Sequence, residues 1–237
     1  MVETARYAEL RPAEFEARLE DAPVAYLPLG TLEWHGEHLP YGTDGFISQR
    51  FFDELAERVG GIVLPTLFLG PDRAETVDGE SFYGMDIFGF RGEDPQQLPG
   101  SAYWVSDERF ERILTATLTQ LERTGFSVVV AHGHGPSTTF VEDRRDELVD
   151  SLEIELLTCR RSDDEEGLQV DHAAANETSL MLALRSDLVA MDRLPEAEWP
   201  TGIDGEDPRE AASVDRGESV VEGELERMEA TIAVALS

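Results

Sequence analysis

An α/β fold, a three-layer α/β/α sandwich with a mostly parallel central sheet, is what this chain predicts, and three observations carry the prediction. Residues 24–29 are an apolar run of strand length. Residues 44–59 then place Ile47, Phe51, Leu55 and Val59 four apart, the spacing of one helix face, before residues 62–69 return to a near-continuous apolar run. Strand, helix, strand in that order is the parallel crossover unit. A third run, residues 126–131, follows a second amphipathic helix. At 237 residues the chain can bury a full core, and neither a repeat nor a linker divides it, so residues 1–237 read as one domain.

Each element follows from local chemistry. Pro12 opens a short helix with Phe15 and Leu19 on its inner face, and Pro23 closes it ahead of the first strand. That strand is expected over residues 24–29, with Asp44 capping the next helix and Gly60 and Gly61 ending it. From residue 70 to 105 the pattern dissolves into Gly and Pro interleaved with Phe82, Tyr83, Phe88, Phe90, Tyr103 and Trp104. A segment of that kind reads as a lid or a subunit contact. Ser106 caps a helix whose inner face is Phe110, Ile113, Leu114, Thr117 and Leu121, ended by Gly125. A helix over residues 138–149 and a strand over 152–157 come next, then an acidic loop, residues 161–171, that reads as solvated surface. Residues 172–179 lead into a helix carrying Leu180, Leu184 and Leu188, with Glu177 near its start, where capping by Asn176 or Thr178 is one reading. A Gly/Pro loop over residues 199–217 precedes a final amphipathic helix, Val221, Leu225, Met228 and Ile232, expected to pack on the sheet.

The formal net charge is −31, from 50 acidic against 19 basic residues, and every basic residue is Arg. Self-repulsion of that size opposes a compact fold unless salt screens it, and the acids are scattered rather than gathered in a tail. The pattern points to a protein of a high-salt cytoplasm. It excludes nucleic-acid binding, which needs a basic patch. The single cysteine, Cys159, lies in an apolar context and reads as a buried inert thiol. No run approaches the roughly twenty apolar residues of a membrane span, and the N-terminus has no leader pattern, so the expected location is cytoplasmic, with no membrane partner.

Residues 27–44 carry the chemistry. Directly after the first strand they present Glu33, His35, His38 and Asp44 among Gly and Pro, a mixture that a core does not need. Glu33 and His35 are two apart, so if the strand continues to His35 they leave one face, and Asp44 stands just before a helix. Carboxylate, imidazole and carboxylate suit a divalent ion such as Zn, Mn or Fe.

The same residues, Pro28-Leu-Gly-Thr-Leu-Glu-Trp-His-Gly-Glu-His-Leu-Pro-Tyr-Gly-Thr-Asp44, resemble the first signature of the creatininase (creatinine amidohydrolase) family. His132-Gly-His-Gly is similar to its Asn-Gly-His-Gly-Gly-Asn stretch, and His172-Ala-Ala-Ala-Asn-Glu-Thr-Ser179 to its His-Ala-Gly-x-x-Glu-Thr-Ser stretch. Three ordered motifs together are specific where one is weak. The chain resembles a divergent member. The resemblance implies two divalent ions (Zn, Mn or Fe) on Glu33, His35, Asp44, His134 and Glu177, with Asp44 bridging them. It also implies a hydroxide between the ions and His172 as catalytic proton shuttle. His38 reads as a residue orienting a ligand. His132, at the family's Asn position, reads as an added ligand, a substrate contact or a silent change. Trp34 reads as pocket wall or core.

Pro136 and Ser137 replace the usual Gly-Asn, and Pro136 stands where members that hydrolyse creatinine carry Glu, which argues against creatinine itself. The implied activity is hydrolysis of a carbon–nitrogen bond in a small cyclic amide or formamide, in a homo-oligomer, a hexamer by family. Alternatives are a hydrolase of a formylaminopyrimidine riboside or a cyclic ketone, and a catalytically silent metal-binding protein. A serine hydrolase using Ser137 with His134 lacks the Gly-x-Ser-x-Gly context.

Overall fold

The structure, a computed structural model, describes residues 4–161 and 166–237. Its strands are β1 (Val24–Leu29), β2 (Ile62–Val63), β3 (Ala74–Val77), β4 (Glu80–Tyr83), β5 (Val128–Gly133) and β6 (Glu155–Leu157). The helices are α1 (Pro12–Asp21), α2 (Thr43–Val59), α3 (Met85–Phe88), α4 (Asp107–Thr124), α5 (Gly135–Asp143), α6 (Arg145–Val149), α7 (Ala175–Arg185), α8 (Pro208–Ala211) and α9 (Val214–Ala235). The central sheet is wholly parallel in the order β2-β1-β5-β6, and β3 and β4 form a separate antiparallel hairpin.

Alternation along the strands makes two cores. Val24, Tyr26, Val63, Val128 and Val130 face one side, where α2 lays Ile47, Phe51, Phe52 and Leu55 against them. Ala25, Leu27, Leu29, Ile62, Val129 and Ala131 face the other, against Phe110, Leu114, Leu118 and Leu121 of α4. Helices therefore cover both faces, which is why the strands are apolar throughout. Phe51 is fully buried, and Phe51→Ala would cost on the order of 3–5 kcal/mol.

The chain leaves β1 for α2 on one face and β5 for α5 on the other, so the carboxyl ends of these adjacent strands diverge and leave a crevice between them. Gly133 seals its floor. Its φ is +149°, and a Cβ there would stand 1.8 Å from the carbonyl oxygen of Leu29. Only glycine lets the two strand ends close up this far.

Several expectations are corrected. β1 has the expected bounds, but the continuation to residue 35 on which a shared face for Glu33 and His35 depended does not form: both lie in a loop, held by the Glu33 N–H donating to Tyr41 O at 3.2 Å. Asp44 is inside the first turn of α2, whose cap is Gly42. β2 is only two residues long, with a single further bridge from Leu29 to Leu67. The 70–105 segment is not structureless: besides β3, β4 and α3, the buried Asp86 carboxylate accepts from Leu98 N–H at 2.7 Å. β5 runs to Gly133, taking His132 into the strand, and the 138–149 helix is two helices, α5 and α6, beginning earlier at Gly135. The strand expected over 152–157 is β6 alone. Within the 199–217 loop lies α8, and α9 begins already at Val214. α9 packs chiefly on α7 and α2 rather than directly on the sheet.

Candidate active site

Three segments meet at the crevice: the loop after β1, the turn from β5 into α5, and the residues leading into α7. They bring Glu33, His35, Asp44, His134, His172 and Glu177 together, all buried except His172, whose side chain keeps 17% of its surface open. His35 Nε2 lies 3.3 Å from Asp44 Oδ2 and 3.7 Å from Glu177 Oε2. His134 Nε2 lies 3.6 Å from Glu33 Oε1, and His172 Nδ1 lies 3.8 Å from the same oxygen. Asp72, which nothing in the sequence singled out, completes a second cluster at 3.5 Å from His134 Nε2.

Hydrogen bonds on the outer ring nitrogens fix which nitrogen faces inward. His35 Nδ1 is 3.1 Å from the Glu33 carbonyl oxygen, which can only accept, so Nδ1 donates and Nε2 keeps its lone pair. His172 Nε2 likewise donates to Trp34 O at 2.7 Å, leaving Nδ1 bare. His134 Nδ1 sits 2.9 Å from Ser137 Oγ. His35 Nε2 and Asp44 Oδ2 are buried without a hydrogen-bond partner. Unpaired polar atoms at that depth cost free energy unless something bonds to them.

The electrostatics agree. Burial first, then Asp44, Asp72 and Glu177, push the Glu33 carboxyl well above the usual range; burial and Asp44 do the same to Glu177. For Asp44 burial also acts upward, but the imidazoles of His35, His134 and His172 outweigh it and hold the group low. Burial, with His35 next, lowers His172 to about 3, so its ring is neutral near pH 7. Two donors each about 2.0–2.2 Å from a tetrahedral ion stand about 3.3–3.6 Å apart, close to the separations found here. Glu33–Asp72–His134, His35–Asp44–Glu177 and Glu33–His35–His172 are each groups able to hold an ion. The residues fit a divalent metal.

The remaining candidates stay outside the cluster. His38 Nε2 pairs with Thr178 Oγ1 at 2.9 Å, tying the loop to α7 beside Glu177. His132 is in none of the donor groups found among the described residues and borders instead a separate cavity of about 640 Å³ lined also by Arg160 and Arg216. Trp34 neither walls the cleft nor joins the core. Its indole N–H donates to Thr201 O at 3.0 Å, and its contribution is the carbonyl that holds His172. Ser137 does contact His134, but it is fully buried and cannot reach a substrate. The 161–171 stretch is more than solvated surface, residues 162–165 lying outside the described ones. Gln169 Nε2 donates to Asp44 Oδ1 at 3.0 Å, and Asp171, rather than Asn176 or Thr178, accepts the Asn176 and Glu177 N–H groups that open α7. Cys159 is buried, and burial pushes its thiol far up, as an inert thiol requires.

Residues 8–230 match the family model for creatininase, creatinine amidohydrolase. The chain belongs to the creatininase family. Its members of that name are hydrolases of carbon–nitrogen bonds other than peptide bonds. The creatinine amidohydrolase of Pseudomonas putida is 26% identical over 224 residues, 81% of this chain and 77% of that protein. A creatininase variant complexed with creatine superposes with a TM-score of 0.71 at 23% identity, covering 97% of both chains. A manganese form of creatininase gives a TM-score of 0.69 at 24% identity, again over 97% of each. The creatininase fold thus spans nearly the whole chain. Among the described residues no helix is long and apolar enough to cross a membrane.

Proposed function

We propose that this chain, one domain over residues 1–237, is a metal-dependent amidohydrolase that opens a carbon–nitrogen bond in a small cyclic amide or formamide. The observation that carries the reading is the pair of unpartnered inward atoms, His35 Nε2 and Asp44 Oδ2, set among Glu33, His134 and Glu177 at the carboxyl ends of β1 and β5. Relatives include manganese and zinc forms, which support Zn or Mn here. Two divalent ions in such a site polarise a carbonyl and lower the pKa of a water.

The chain's own residues do the rest. A cleft of about 610 Å³, lined by Glu33, Asp72, His134, His172, Phe88 and Pro136, suits a small ligand and opens on the cluster. His172 borders it with a neutral ring, a bare Nδ1 toward Glu33 and Nε2 pinned by Trp34. It can take a proton at Nδ1 and return it to the departing nitrogen. Pro136 puts an apolar ring on the wall where creatinine-hydrolysing members carry a carboxylate, which supports a substrate other than creatinine.

The test is metal content per chain, by plasma mass spectrometry on protein purified in concentrated potassium chloride without chelators, beside Asp44→Ala. About two ions in the wild type, a large loss in the variant and turnover of cyclic amides or formamides are expected. A folded wild type that holds no metal overturns the reading. The charge of −31 supports a protein of concentrated salt, whose unfolding midpoint rises between about 0.1 M and 1 M salt. The exposed aromatics Tyr83 and Phe88 support a homo-oligomer, for light scattering to test.

A further inference from the structure

We propose that Asp72, carried by the segment that follows β2, is a metal ligand in its own right, so that Glu33, Asp72 and His134 hold one ion while His35, Asp44 and Glu177 hold the other. This rests on the metal-dependent reading above and divides its site into two.

Charge is the first argument. Each group then offers two carboxylates and one imidazole, a charge that one divalent ion cancels. Without Asp72 the cleft-side ion would have of its own only Glu33 and His134, beside the carboxylate of Asp44 shared with the other ion. Geometry is the second. Asp72 Oδ2 lies 3.5 Å from His134 Nε2, which is itself 3.6 Å from Glu33 Oε1. The other oxygen, Oδ1, is held by the Arg73 N–H at 2.7 Å, which leaves Oδ2 for the centre.

The surroundings also decline to neutralise this carboxylate by other means. The Arg73 guanidinium turns over the Phe88 ring, 5.3 Å from its centroid, and among the described residues no arginine pairs with Asp72. The Asp72 and Glu33 side chains keep only 6% and 4% of their surface open. Two buried carboxylates side by side without a cation are costly. Yet the turn from β4 into α3 is built to allow their approach. Gly84, at φ +51°, would with a Cβ meet Asp72 Oδ2 at 2.3 Å and Glu33 Oε2 at 3.1 Å. Only a glycine there leaves both oxygens in place.

The experiment loads chelator-treated wild type and Asp72→Asn with Mn(II), counts bound ions by plasma mass spectrometry and records the electron paramagnetic resonance spectrum. Asp72→Asn removes the charge at constant shape. The wild type is expected to hold about two ions with a coupled-pair signal, and the variant about one with an isolated Mn(II) signal. Should Asp72→Asn fail to fold by circular dichroism, Asp72→Ser serves with the same expectation. A variant that still holds about two ions, with affinity within about twofold of wild type, overturns the assignment of Asp72 and leaves the metal-dependent reading standing. A wild type that takes up no Mn(II) overturns both.

Discussion

The two halves of the site are made differently. The His35–Asp44–Glu177 group is wedged between the first turns of α2 and α7, deep in the core that α9 closes. The Glu33–Asp72–His134 group borders the cleft, with one wall supplied by an irregular segment and a hairpin whose β3 is exposed. The first is held by helices that must form for the protein to fold at all. The second depends on loops whose contacts are largely their own. Both sets of donors are buried, but only the second borders the cleft, so its ion is the one that meets whatever enters.

The largest effect that probes this contrast is catalytic. His172→Ala should lower kcat by about 10²–10⁴ with metal content unchanged, since the ring acts from the open side. If metal is lost as well, His172 belongs among the ligands and the Glu33–His35–His172 group is the one in use. Next come the residues that orient the donors. Ser137→Ala frees His134 and should weaken binding of one ion about 10–100-fold; Gln169→Ala frees Asp44 and should weaken the other by a similar factor. Titrations in which both variants lose the same ion would erase the division.

A smaller effect is expected from pH. Glu33, in one group, and Glu177, in the other, have carboxyl pKa values raised on folding, so the metal-free fold holds protons that the unfolded chain releases. Their contribution to stability is therefore complete below the ordinary carboxylate range and lost as pH rises through the raised values. Metal must displace those protons, so affinity rises with pH over the same window. Calorimetry in buffers of different ionisation heat should register proton release at both ions; release at one alone would break the symmetry. The smallest effect is at the surface: Arg112→Ala, which removes an exposed pair with Glu108, should leave metal binding untouched.

How much of this was legible follows the same division. Apolar runs and four-residue spacing gave β1, α2 and α4 because packing on both faces of a sheet writes itself into composition. Glu33, His35 and Asp44 stood out because histidine is scarce here and Gly and Pro frame the loop. Asp72 did not. In a chain with 50 acidic residues, one more Asp after an apolar run carries no signal, and only the fold brings it to His134. Gln169 was hidden by its acidic neighbours, which made a structural stretch look like solvated surface. His132 misled in the opposite way: two apart on a strand, it and His134 would share a face, but β5 ends at Gly133, whose φ of +149° turns the chain before His134 leaves it.

Trp34 is tied twice to distant segments, its indole to Thr201 and its carbonyl to His172, while His172 and Asp204 exchange backbone hydrogen bonds. Residues 201–204 thus act as a latch on a tautomer. Cutting that segment back would free the Trp34 indole and the His172 backbone together, and so loosen the carbonyl that keeps the proton on Nε2. The ring would then divide its time between two proton positions, visible as averaged nitrogen chemical shifts at His172, in a protein whose sheet and helices were otherwise unchanged.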